Sequence, residues 1–504
     1  MKRLEVRSLR SCVSVRARPV TSPSWTSLQR WHVSISSTTT KSTLQSPQIT
    51  PPASSRRHVP VCSTTTKSPP QKISFAVPVQ QGFPSHQQDI DAEFKKYPPP
   101  LSIIPTTTLL RSLLMTYVLS SPHLVNLSLP LLAAIYHKDA FLLNPDRNPV
   151  LRFVVRKLFY DHFCAGENEW EVRETIVDVK GMGFHGVILG YAKETIVGQS
   201  TTASSESTKI KTTSASEQAI LDWKEGTLRT LSMLGRGDFL AVKFTGAGPD
   251  VTEALAHNQP PPALMSSSLS EILAQARKQN TRVWIDAEQQ IFQPTIDAWT
   301  LDLMKSYNTA SDAMVYNTYQ AYLKFTPEVL ARHLRVAQGE GWTLGVKLVR
   351  GAYIAVERRD LIHDKIEDTH RAYDGIVDRL VKREFPGVEG FPNVQLMLAS
   401  HNANSVARGY NTWKIRLEQN LPTIKMEIGQ LQGMADEISC GLVQERLLGK
   451  GVGPRAFKCL CWGSVQECVN FLMRRVVENR GCLGRTEMWM SGLKGELWRR
   501  VKRG

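Results

Sequence analysis

The chain has 504 residues, of which 41% are apolar and 21% charged, with 32 Gly, 28 Pro and 8 Cys. That balance is globular, and the length fits one large barrel with additions or two to three ordinary domains. The net charge of +16 would suggest a polyanionic partner. Residues 1–88, however, hold twelve of the 62 Lys and Arg and only one of the 46 Asp and Glu, so 50 basic and 45 acidic residues remain for the rest. The excess belongs to the N-terminus, and nucleic-acid binding is poorly supported.

Residues 1–88 are rich in Arg, Ser, Thr and Pro, with Glu5 their sole acidic residue. This is the composition of a mitochondrial transit segment or of a disordered basic tail, and no apolar core of a secretory signal follows the first cations. Ser34 to Pro70, with its repeated S-T-T-T-K, cannot build a core. Residues 89–173 read as a helical region. Leu101 to Tyr136 comes nearest to the roughly 18 apolar residues of a membrane span, but Arg111, Pro122, His123 and Pro130 break it into two or three covering helices. The cysteines form no zinc signature: Cys459, Cys461, Cys468 and Cys482 cluster without a CxxC pair or a nearby His.

From there the text alternates. Strand-like runs at 184–191, 239–244, 282–287, 313–321, 343–352, 394–400, 424–430 and 456–461 are separated by helix-like segments, with one more helix at 464–480. Such strict βα alternation predicts an α/β fold, a (β/α)8 TIM-like barrel over 174–488, with N-terminal helical additions and a disordered presequence. Gly181 to Gly186 fits GxGxxG by letter but precedes its strand, where a dinucleotide fingerprint should follow one. Residues 199–216 read as a solvated low-complexity insertion, and 489–504 as a basic, amphipathic tail that suits either anionic lipid or water.

The stretch Thr343 to Tyr353 is the most informative. Leu344, Val346, Leu348 and Val349 mark a strand buried on both faces, interrupted by Lys347 and Arg350. Period-two alternation sends these two cations to opposite faces, so each needs an anion. Gly351 stops the strand, with Tyr353 just beyond the C-terminal end where barrel chemistry sits. Lys243 is a second lone charge in a buried strand, matched by a salt bridge to Asp286 or Glu288 or by a ligand. Asp286 suits a cap or a network as well as a pocket. Arg474 and Arg475, with Glu478 in ion-pair reach, read on their own first as a solvated helix face and second as a grip on a carboxylate.

Six ordered blocks decide how these residues are best read. Ile285-Asp286-Ala287-Glu288, Asn317 to Tyr322, Lys347 to Tyr353, Ala399 to Asn402, Gly429 to Asp436 and Leu472 to Asn479 resemble the proline dehydrogenase (proline oxidase) family, in its fungal-type mitochondrial form. The resemblance covers roughly residues 90–500. It implies an FAD-dependent oxidoreductase that takes L-proline to Δ1-pyrroline-5-carboxylate, passes electrons to a membrane quinone, and works on the matrix side of the inner mitochondrial membrane with possible peripheral contact. It implies a proline site made of Lys243, Asp286, Tyr353, Leu431, Arg474, Arg475 and Glu194. For the flavin it implies Gln320, Lys347, Arg350, His401 and Glu478, with no metal.

One position departs from the family pattern. Where a K-Y-x-P-aromatic-G run is expected, the chain reads Lys458-Cys459-Leu460-Cys461-Trp462-Gly463, so Cys459 takes the place of a tyrosine. Loss of that ring would cost about 2 to 4 kcal/mol of contact by analogy with large-to-small truncations. It would leave room for a hydroxylated or bulkier imino acid, or mark a catalytically weakened flavin-binding relative. A folate-reductase-like flavin barrel is a further enzyme class, though the Arg pair favours a small carboxylate.

Overall fold

Eight parallel strands close on themselves in chain order. They are β1 (Gly186–Tyr191), β2 (Phe239–Val242), β3 (Arg282–Ile285), β4 (Val315–Gln320), β5 (Leu344–Val349), β6 (Val394–Ala399), β7 (Lys425–Leu431) and β8 (Arg455–Trp462). The structure, a computed structural model, describes residues 98–502 apart from 193–212, 355, 450–452, 481–482 and scattered positions between 122 and 140. The side chains of 119, 141, 213, 214, 470 and 474–488 also fall outside the description. All eight predicted strands are present, and the (β/α)8 reading holds.

Alternation along each strand fills the barrel from within. Ile188, Phe239, Trp284, Tyr316, Met397 and Phe457 point inward and form one cluster. The Phe239 ring lies 5.2 to 5.5 Å from the Tyr316, Phe457 and Trp284 rings. On β5 the inward position is Gly345, where a Cβ would come within 2.4 Å of the Val315 carbonyl oxygen and 2.8 Å of the Tyr316 ring. Below these rings Arg282 stacks on Phe239 at 3.8 Å and donates to Glu427 Oε2 at 2.5 Å, which closes the N-terminal end. The outward residues of the strands meet the surrounding helices in the main core.

The helices follow the strands as the sequence predicts, with small shifts of boundary. They include α1 (Thr106–Ser120), α2 (Pro149–Val155), α3 (Glu169–Gly181), α4 (Thr213–Ser232), α5 (Pro249–Ala256), α6 (Ala263–Gln279), α7 (Gln293–Tyr307), α8 (Thr326–Glu340), α9 (Ile366–Lys382), α10 (Ala403–Glu418), α11 (Asp436–Leu448), α12 (Val465–Arg480) and α13 (Leu483–Val501). In α9 the buried Thr369, Tyr373, Ile376, Val377 and Leu380 lie on one stripe, and the helix ends at Arg383 in the left-handed region. Asn168 and Asn402 cap α3 and α10 by accepting from Glu171 N and Ser405 N.

Three boundaries differ from the sequence reading. The insertion expected over 199–216 ends earlier: α4 begins at Thr213, and Ser216 is buried with its hydroxyl on Asp250 Oδ1 at 2.7 Å. Helix α3 straddles the boundary drawn at 173/174. Residues 489–501 are no tail. They belong to α13, which buries Leu493 and Glu496 and is pinned to the start of α1 by Arg500, bonded to Thr106 Oγ1 at 2.8 Å and to the Ile104 carbonyl at 2.7 Å. The amphipathic pattern was legible, but an apolar stripe does not say whether lipid, water or another helix faces it. The presequence expected over 1–88 and the insertion over 199–212 lie outside the described residues.

The N-terminal additions attach to the exit of β8. Helix α2 runs into a π-helical turn, Arg156–Tyr160. Tyr160 donates its hydroxyl to the Gly463 carbonyl at 2.6 Å, and Ala165 N donates to the Cys461 carbonyl at 2.7 Å. No described helix is long and apolar enough to cross a membrane. No group of His, Cys, Asp and Glu among the described residues is arranged to hold a metal.

Candidate active site

At the C-terminal mouth the inward positions change from apolar to charged. Lys347, on β5, alternates with Gly345 and therefore points inward from a strand that is otherwise apolar. It is buried, with Nζ 2.5 Å from Asp286 Oδ1 and 3.8 Å from the centre of the Trp284 ring. Asp286 directly follows β3 and is held by its own amide, which donates to the Val242 carbonyl at 2.8 Å. Of the two partners offered for Lys243, Asp286 thus goes to Lys347. The charge of Lys243, just past β2, acts on Glu288.

Glu288 is buried at the neighbouring exit. Burial pushes its carboxyl up, against the hydrogen bonds from Thr245 and the charge of Lys243. Thr245 supplies both its amide, at 3.1 Å from Oε1, and its hydroxyl to Oε2. The sequence reading named Glu288 only as a structural partner for Lys243. The one signal for it was the second acid of I-D-A-E.

Gln320 ends β4 with its amide between two backbone groups: Nε2 donates to the Glu288 carbonyl and Oε1 accepts from Ala352 N, both at 3.3 Å. It thereby ties the exits of β3 and β5 together. Between them Gly351 has φ +146°, and a Cβ there would lie 2.2 Å from the Tyr322 ring, so only glycine fits this turn. Tyr353 follows, half-buried, and its carbonyl accepts from Val356 N and Glu357 N. Across the mouth Leu431 ends β7, half-buried, and its amide donates to His401 Nε2 at 3.1 Å. Cys459 is in register with Leu431 and Ile188 and packs, half-buried, on the inner ring cluster. The position where the family pattern has a tyrosine therefore faces the barrel interior.

Arg350 emerges on the other face of β5, as alternation requires. Its guanidinium donates to His370 Nδ1 (3.1 Å), Ser400 Oγ (2.6 Å) and Ser405 Oγ (2.7 Å) and lies 4.4 Å from the centre of the Tyr373 ring. Ser405 is in the first turn of α10, so the cation stands beside a helix N-terminus. Nothing in the sequence singles out His370, Ser400 and Ser405, because single hydroxyls and histidines near helix starts carry no distinctive spacing. Arg474, Arg475 and Glu478 lie on α12, and their side chains fall outside the described residues, as does Glu194 altogether. The structure therefore brings Lys243, Asp286, Lys347, Gln320, Leu431, His401 and Cys459 to one mouth and sets Arg350 behind its wall.

A family model described as proline dehydrogenase matches residues 172–488. The chain belongs to the proline dehydrogenase family. It is 28% identical over 469 residues to a probable mitochondrial proline dehydrogenase of Schizosaccharomyces pombe, across 82% of this chain and 92% of that protein. It is 34% identical over 242 residues to mitochondrial proline dehydrogenase 1 of Caenorhabditis elegans, across 46% of this chain and 38% of that protein. A hydroxyproline dehydrogenase of Rattus norvegicus is 32% identical over 246 residues, across 47% of this chain and 51% of that protein. Proline utilization A from Bdellovibrio bacteriovorus, inactivated by N-propargylglycine, superimposes with a TM-score of 0.55 at 14% identity, covering 73% of this chain and 38% of that one. The last likeness shows the fold alone. The family model's match begins inside α3, whereas the likeness to the Schizosaccharomyces pombe protein, across 82% of this chain, reaches into the segment before it.

Proposed function

We propose that this protein oxidises L-proline to Δ1-pyrroline-5-carboxylate, using FAD and passing electrons on to a membrane quinone at the matrix face of the inner mitochondrial membrane. The observation that carries the reading is the meeting of Lys347, Asp286 and Lys243 at the mouth of a barrel of this family. Several relatives are named mitochondrial, which supports the location and the reading of 1–88 as a transit segment. Exposed Leu110, Leu114 and Tyr117 on α1, with Trp498 and Val501 on α13, support peripheral membrane contact.

The residues present suit a flavin. Cations and donors gather at the strand exits. Beside Arg350, the buried Gln430 Oε1 has no hydrogen-bond partner among the described residues and would accept from a hydroxylated chain. Lys347, Gln320, Arg350, His401 and Glu478 would hold the cofactor, Arg350 at its phosphate or ribitol portion. The flavin, when bound, supplies the acceptor for a hydride from C5 of proline. Lys347 would stabilise the negative charge that arrives with the hydride, in a site where burial strengthens it. Lys243, Arg474 and Arg475 would neutralise the substrate carboxylate, Glu194 would orient the second arginine, Asp286 would hold Lys347 in place, and Tyr353 and Leu431 would close on the ring. The test is the absorbance spectrum of the purified protein under anaerobic conditions. A yellow protein bleached by proline is expected; a yellow protein that proline leaves unchanged would indicate a flavin-binding remnant.

Cys459 favours a second reading, a hydroxyproline-type or weakened enzyme, because a small half-buried side chain stands at the inner face of the mouth. Cys459→Tyr is expected to lower KM for proline by about tenfold, equivalent to about 1.4 kcal/mol, and to raise KM for hydroxyproline. No change in either constant would remove Cys459 from the pocket.

A further inference from the structure

The exit loop of β7, Leu431 to Asp436, is held from several sides. Leu431 N donates to His401 Nε2 (3.1 Å), Gln432 N to the Cys459 carbonyl (2.9 Å), and Lys458 Nζ to the Met434 carbonyl (3.4 Å) and to Asp436 Oδ1 (2.7 Å). One contact comes from the segment that precedes the barrel strands. His162, in the single helical turn Asp161–Phe163, sets Nε2 at 2.9 Å from the Gly433 carbonyl oxygen. A carbonyl only accepts, so His162 carries its proton on Nε2 and donates it, whereas His401 accepts at Nε2 and carries its proton on Nδ1.

The contact is close and specific. Gly433 has φ +70°, and a Cβ there would stand 2.6 Å from His162 Nε2, Cδ2 and O. The ring is buried and lies edge-on to Phe163, with centroids 4.6 Å apart. Burial, the largest influence, pushes the imidazole down to about 4, against the charge of Asp436, so the neutral donor persists at neutral pH. A cavity beside it is lined by Arg111, Asp161, Gln432, Asp436 and Lys458. Loss of the donor would leave the Gly433 carbonyl without this partner in a largely enclosed place.

We infer that His162 is a positioning residue for the reaction: by donating to the Gly433 carbonyl, it makes the N-terminal addition fix the loop that sets Leu431 at the mouth. The inference rests on the proline-oxidising reading for its kinetic consequence, though not for the structural one. The second residue after Leu431 is thereby anchored to a segment that precedes the barrel strands, and the depth to which Leu431 closes on a ring depends on that segment.

The experiment compares the full-length flavoprotein with His162→Phe, which keeps a ring and removes the donor, and His162→Gln, whose amide nitrogen can replace Nε2. In His162→Phe, KM for proline is expected to rise about tenfold while kcat and flavin content stay within about twofold. Amide hydrogen exchange over 431–436 should quicken at least about tenfold, and His162→Gln should restore both. If His162→Phe does not fold, His162→Asn, whose amide stops short of the carbonyl, takes its place. Unchanged exchange in 431–436 overturns the inference, as does a glutamine variant as impaired as the phenylalanine one, since packing alone would then be at work. If the unaltered protein does not oxidise proline, the functional reading fails, and the exchange measurement still decides the role of His162.

Discussion

Lys347→Met is expected to slow the bleaching of the bound flavin by proline by about 10²-fold, the scale on which single preorganised charges act in closed sites. Methionine nearly preserves the length of the side chain and its packing on Trp284, so what is removed is charge. The nearest alternative cause is the stranded Asp286, whose carboxylate lies 2.5 Å from Nζ in the unaltered protein. Stopped-flow bleaching of the double variant Lys347→Met with Asp286→Asn separates the two. If the lysine acts on the incoming charge, the double variant stays slow; recovery to the original rate would show that only the orphaned acid did harm.

Lys458→Met should cost about 3 to 5 kcal/mol of stability, as expected when one partner of a buried ion pair is removed. Lys458 is almost wholly buried on β8, between Asp436 Oδ1 and Ser439 Oγ, each at 2.7 Å. Burial would raise the Asp436 carboxyl, but the opposing influences, led by the charge and hydrogen bond of Lys458, together hold it below the usual aspartate range. A lowered folded value means that the pair stabilises fully above the unfolded aspartate value, about 3.9, and that this is lost as pH falls through the folded value. Without Lys458, burial dominates and Asp436 moves up. The sign then inverts, and the variant loses stability as pH rises toward neutrality. Urea unfolding at pH 5.0 and 7.5 reads the difference. A variant with the same pH slope as the parent would show that Lys458 is not what keeps Asp436 charged.

Much of this was legible beforehand because the strands are buried on both faces. Runs such as Leu344 to Val349 have no polar side to confuse with a helix, and a cation inside one, such as Lys347, stands out. Glycine at 351 marked the end of its strand for a reason the structure makes plain, since Tyr322 occupies the space of any side chain. The pairing was harder. Lys243 has Asp286 and Glu288 two residues apart on one exit, and only the stagger of β2, β3 and β5 assigns Asp286 to Lys347. His162 gave no signal, because its partner is a main-chain carbonyl 271 residues away. The docking of α13 was hidden for a related reason: its buried Glu496 reads as a surface acid until Arg499 and Arg500 are seen to enclose it.

The plug of aromatic rings, sealed beneath by Arg282 and Glu427, makes the cylinder a vessel with a blind floor. A small molecule that descends past Lys347 meets Phe239, Trp284, Tyr316 and Phe457 and has no way out below. Among the described residues the floor is closed, so arrival and departure both lie on the side of the strand exits, and a spent molecule lodged there stands in the path of its successor.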